Sequence, residues 1–154
     1  MMAYARVTTL AAVQGLSVAQ LDHLHDAESN SIGALLTHIA VVEQSYQVLT
    51  FEERVLSPEE TSRSAAALKL GAMGRESLRG QPLEHYVEQL AKVRAETLKA
   101  LASRDDEWLE RSVSIAPRMN CHWAWFHVME DELNHRGQIR WLRGRLPKAT
   151  PSVD

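Results

Sequence analysis

Glycine and proline are scarce in this 154-residue chain, with 7 and 5 copies, so helices can run long before a breaker stops them. Cysteine is scarcer still. Cys121 stands alone, which excludes an internal disulfide framework and a multi-cysteine zinc knuckle. No apolar run approaches the roughly 20 residues needed to span a bilayer. The first ten residues lack a basic segment followed by a long apolar one, so no secretory signal is legible and a soluble cytoplasmic protein is expected. Excess positive charge is absent too. A formal net charge of −3 and a pI near 6.2 argue against a nucleic-acid binder, which needs a basic face for phosphates.

What is present is helical spacing. Apolar residues recur three and four apart over long stretches, and β-branched alternation is nearly missing, so the class is all-α. A first helix is expected over about Ala3 to Gln14, carrying Val7, Leu10, Ala11 and Val13, with Gly15 as its stop. Ser17-Val18-Ala19-Gln20 has the form of a capping box and opens a short helix holding Leu21 and Leu24. A second long helix starts near Asn30 or Ser31 and ends near Phe51, with Ile32, Leu35, Leu36, Ile39, Val42 and Tyr46 as its stripe. Ser57-Pro58-Glu59-Glu60 starts a helical excursion broken by Gly71, Gly74 and Gly80. A third long helix begins at Pro82. Arg111 to Ile115 reads as a strand ended by Pro117, and Asn120 caps a last helix running to about Arg145. Four long helices in one domain over residues 1–147, followed by a polar tail over 148–154, fit a four-helix bundle.

The last helix carries the chemistry. Trp123, His127, Asp131, His135, Gln138 and Leu142 follow one another at steps of three or four. Phe126, Val128, Ile139 and Leu146 flank that stripe and direct it inward. Two imidazoles and a carboxylate on a buried face need partners, because an uncompensated buried charge costs several kcal/mol. A divalent metal ion is one answer. Asp131 and His135, four apart, can reach the same ion, and His38 on the second long helix is the best third ligand. Two histidines and one carboxylate suit zinc, and nickel or iron(II) also accept such a set. A solvated face or a hydrogen-bonded pair is the competing explanation, and His38 by itself reads as a core-edge histidine. His23, His25, His85 and His122 read as surface, Cys121 as a small buried residue, and Trp123, Trp125 and Trp141 as core.

Two segments resemble a known family. Asn30–Ala40 (NSIGALLTHIA) is similar to the second-helix motif of the DinB-like, damage-inducible family, and His127–Ile139 (HVMEDELNHRGQI) to its last-helix motif. The resemblance implies a four-helix bundle in up-down-down-up order, commonly a homodimer. It also implies one divalent metal held by a histidine of the second helix and an i, i+4 pair of the last. His38 and His135 match that pattern. Asp131 stands where most members have histidine. The related mycothiol-dependent maleylpyruvate isomerases have glutamate there, and His127, one turn earlier, could supplement or replace the shorter Asp131. Some enzymes among these relatives transfer or isomerise through a low-molecular-weight thiol such as mycothiol or bacillithiol, while many members have no assigned reaction; the resemblance to the former implies a metal-dependent thiol S-transferase or isomerase. The alternative is a non-catalytic metal- or small-ligand-binding stress-response protein. An enzyme needs polar groups beside the metal, and His127, Gln138, His122 and Tyr46 are the candidates.

Overall fold

Side-chain caps decide where most of the helices begin in the computed structural model, which describes residues 1–147. The polar tail expected over 148–154 lies outside the described residues. Helix α1 (Met2–Val13) leads to α2 (Val18–Leu21), which the Ser17–Gln20 capping box opens. Ser31 accepts a hydrogen bond from the Ala34 amide and starts α3 (Ile32–Phe51). The Ser57–Glu60 box, with Pro58 in the first turn, starts α4 (Pro58–Lys69). Chain turning at Leu70 and Gly71, both at positive φ, leads into α5 (Gly71–Ser77). Then come α6 (Leu83–Leu101) and α7 (Asp106–Glu110). A hairpin of β1 (Ser112–Val113) and β2 (Ala116–Asn120) precedes α8 (Cys121–Arg143), whose cap is Asn120.

Four long helices share one interior: α3 packs on α6 and α8, and α1 packs on α8. Leu21, Ile32, Leu35, Leu36, Leu90 and Ile139 are fully buried there. A second apolar cluster lies at the other end, where the Phe51 ring stacks on both Trp108 and Trp125. Buried Cys121 belongs to that cluster, and burial pushes its thiol up, away from reactivity.

Between the two clusters each long helix contributes one charged side chain. Arg6 (α1), Glu43 (α3), Arg94 (α6) and Glu132 (α8) are almost wholly buried and pair crosswise. Arg6 bonds Glu43 and Glu132 at 2.9 Å each, and Arg94 bonds both at 2.7 Å. Arg6 also donates to the Leu90 carbonyl and Arg94 to the Met2 carbonyl. Two positive and two negative groups cancel, and their many hydrogen bonds offset the cost of desolvation.

The structure corrects several expectations. The stripe of α1 is rotated: Val7 is 64% exposed, while Ala5, Arg6, Thr9, Ala12 and Val13 face inward. The expected strand is a hairpin, and Pro117 lies within β2 rather than after the strand. A two-stranded ribbon has free edges, where a residue without an N–H is tolerated. Helix α5 runs through Gly74 instead of breaking there. The α8 stripe does not point inward along its whole length. Each i, i+4 step advances about 40° around an ideal helix, so Trp123, His127, Asp131 and His135 form a spiral. Trp123 and Phe126 are about half exposed, as is Trp141, and only the later part of the spiral reaches the core.

Candidate metal centre

His38 projects from α3, two turns after the Ser31 cap, toward α8. There the spiral of α8 brings Asp131 and His135 to the helix boundary between solvent and core. The three side chains are 12%, 16% and 13% exposed, respectively. One ligand atom from each lies within 4.8 Å of the others. The Nε2 atoms of His38 and His135 are 3.6 and 3.4 Å from Asp131 Oδ1. The two rings meet edge to face with centroids 4.5 Å apart.

The far side of each imidazole is fixed. His38 Nδ1 lies 2.7 Å from the Ala67 carbonyl oxygen, which comes from the helical excursion α4. His135 Nδ1 lies 3.1 Å from Gln138 Oε1. Both acceptors require Nδ1 to carry the hydrogen. In a neutral ring that leaves Nε2 as a bare lone pair, and both lone pairs face a carboxylate oxygen. Such an arrangement is repulsive unless a proton or a cation sits between them. Asp131 Oδ2 is buried with no hydrogen-bond partner. A cation among the three groups would satisfy it together with both lone pairs. The spacing also fits: two ligands about 2.1 Å from a tetrahedral ion stand about 3.4 Å apart.

Protons show the same preference. Burial by itself would raise the Asp131 carboxyl, but bonds to His135 and His38 and their charge hold it well below the usual carboxylate range. For His135, burial works against protonation, and the bond to Asp131 outweighs it, so its pKa is raised. The site therefore attracts positive charge.

Around it, His127 stacks on Trp123 with centroids 5.0 Å apart and lies 5.7 Å from the Tyr46 ring. Its Nδ1 is 3.3 Å from Glu130, and the stacked rings keep it one turn outside the His38–Asp131–His135 group. Burial and the Asp131 charge raise the Tyr46 hydroxyl, so it keeps its proton at neutral pH. His122 is exposed and takes no part. Sequence reasoning had no access to the Ala67 carbonyl, because a backbone acceptor leaves no mark in residue type.

The mycothiol S-transferase family has a sequence profile that matches residues 1–147, nearly the whole chain. The chain belongs to that family. This agrees with the DinB-like resemblance of the two helix motifs. A crystal structure of a conserved protein from Enterococcus faecalis superposes with a TM-score of 0.72, covering 94% of this chain and 92% of that one. At 15% identity that likeness speaks for the fold alone. No curated protein matches the chain in sequence.

Proposed function

We propose that this mycothiol S-transferase family member is a metal-dependent thiol S-transferase in which His38, Asp131 and His135 hold one divalent ion, with zinc the best match. The observation that carries this reading is the pair of anchored imidazoles turning bare Nε2 atoms toward one partly unpartnered carboxylate. Three protein ligands leave a coordination position for a further group, as catalytic zinc sites do. When bound, the ion lowers the pKa of a coordinated thiol and keeps it as thiolate.

The chain's own residues set up the transfer. Ala67 and Gln138 fix the ring orientation of the two histidines. Asp131 supplies the negative charge that favours a cation. Tyr46, protonated and half-buried, offers a hydrogen-bond donor beside the site. The thiol gives up its proton to solvent. Its sulfur then bonds to an electrophilic carbon of the acceptor, whose leaving group departs with the bonding pair.

Metal analysis of tag-free protein is expected to give one zinc per chain, and His135→Ala to give none. Asp131→Asn should weaken binding by removing the ion's one protein charge, whereas Asp131→His should retain it. His127→Ala should leave stoichiometry unchanged. Loss of metal in His127→Ala with retention in Asp131→Ala would move the middle ligand to His127. Added thiol is expected to change the absorption spectrum of the cobalt-substituted protein. A spectrum that ignores thiol would leave the metal centre standing and end the transferase reading.

We also propose a homodimer. Helices α1 and α8 lie together and leave Tyr4, Val7, Trp123 and Phe126 exposed, an apolar surplus that a second copy would cover.

A further inference from the structure

Gly137, in the middle of α8, and Gly144, at its end, both face solvent. Neither is required by the chain's own fold. A Cβ on Gly137 would meet no atom within 4 Å, and one on Gly144 would meet only the carbonyl oxygens of Arg140 and Trp141, at 3.6 Å. Gly144 has φ −66°, in the right-handed region open to every residue. Glycine is a poorer helix former than alanine, so Gly137 weakens the helix with no compensating contact inside the chain. Each glycine leaves a hollow on the surface.

The two hollows belong to one stripe. Phe126, Glu130, Leu133, Gly137, Arg140 and Gly144 follow one another at steps of four and three. Such steps return to one side of the helix, and the stripe is about 27 Å long. Phe126 is 50% exposed, Arg140 is exposed and Leu133 is half-buried. Among the described residues Arg140 makes no ion pair, and Glu130 meets only His127, at 3.3 Å. On an ideal helix Asp131 and His135 lie on the opposite side, so this face is not part of the candidate metal centre.

The stripe is complementary to its own reverse. Consider a second copy laid antiparallel about a two-fold axis level with His135. Phe126 then comes over the partner's Gly144, Leu133 over the partner's Gly137, and Glu130 beside the partner's Arg140. By symmetry each pairing occurs twice. Large side chains fill the hollows, and opposite charges meet between them. A shift of one turn sets Gly137 against its own copy and parts the charges. The geometry points to this face as the interface between two copies of the chain, an antiparallel α8–α8 contact in that register. The assignment rests on the homodimer reading above and names the surface and the pairing.

Sedimentation equilibrium on the full chain tests it with charge reversals. Glu130→Arg sets like charges against each other twice, as does Arg140→Glu, and each is expected to weaken self-association roughly tenfold or more. The double variant Glu130→Arg/Arg140→Glu restores opposite pairs and is expected to recover most of the lost affinity. An equal mixture of the two single variants is expected to form a heterodimer tighter than either homodimer. Gly137→Leu closes the hollow that the partner's Leu133 enters and is expected to weaken association, although it improves helix propensity. A wild-type dimer that ignores all three single substitutions pairs through another face, which overturns this assignment and leaves the homodimer standing. A double variant as weak as the single ones also overturns it. Wild-type protein at the mass of one chain ends the homodimer reading and this one with it. Recovery in the double variant excludes misfolding as the cause of loss in the single ones.

Discussion

Gln138 holds His135 by a single hydrogen bond, and that bond is separately testable. Gln138→Leu keeps the size and removes the acceptor, so zinc affinity is expected to fall roughly 10–100-fold, the usual cost of losing an outer-shell partner. Unchanged affinity in a competition titration would show that the ring needs no such anchor. The raised pKa of His135 sets a pH dependence in the metal-free protein. A group bound more tightly to its proton in the folded state stabilises that state fully below its unfolded value of about 6.5. That contribution disappears as pH rises through the raised folded value. Asp131, with its depressed pKa, has the opposite sign: its contribution holds above about 3.9 and disappears only as pH falls through the folded value. Metal-free protein is therefore expected to lose melting temperature as pH is raised from about 6.5 through the raised folded value of His135. His135→Ala should lack this decline, and a decline of the same size in that variant would refute the assignment. At a different residue, a Cβ on Gly33 would lie 2.6 Å from the Tyr86 hydroxyl oxygen. Tyr86 is fully buried, and burial pushes its hydroxyl up to about 12. Gly33→Ala is expected to cost about 1–3 kcal/mol in denaturant unfolding, as overpacked core positions do.

At the scale of elements, the helical excursion α4 turns out to serve the site. It lends the Ala67 carbonyl to His38, and the Gly71 amide that follows it bonds Asn30 at 2.9 Å, next to the cap of α3. The excursion is therefore clamped at both ends of the segment that carries His38. Helix α8 has a different task. Its i, i+4 spiral gives one helix an aromatic solvent face, a polar boundary and an apolar core line in succession. The periodicity of the chain shows the spacing at once. Which part of the spiral is buried depends on where α1 and α3 press against it, and the inward direction expected for Trp123 and Phe126 fails for that reason.

Across the whole molecule, the Arg6–Glu43–Arg94–Glu132 group ties all four long helices at one level. Removing a single partner leaves a buried charge without compensation. Arg94→Met is expected to destabilise the fold by about 3–5 kcal/mol, read from urea unfolding. A loss under about 1 kcal/mol would show that water or rearrangement replaces the guanidinium. The sequence did not show this group: the α1 stripe expected through Val7 and Leu10 leaves Arg6 off it, and Glu43, Arg94 and Glu132 carry no local signal that marks them as buried. Nothing in a one-dimensional pattern says that these four meet. The proposed homodimer is a property at the same scale. Sedimentation at micromolar concentration should give about twice the 17.3 kDa chain mass, and a mass equal to that of the single chain would exclude it. Among the described residues, no helix is long and apolar enough to cross a membrane.

Local rules acting within a few residues were enough to place Ser17, Ser31, Ser57 and Asn120 as helix starts, since a cap is a bond between near neighbours. The i, i+4 spacing of Asp131 and His135 likewise guarantees that they share a helix side. His38 was legible as a candidate through its motif, yet its approach to within 3.6 Å of Asp131 is a product of how α3 packs on α8. The Ala67 anchor and the four-charge group are tertiary in the same sense. Each joins atoms far apart in the chain, and such distances are set by how whole helices pack rather than by the propensity of any residue.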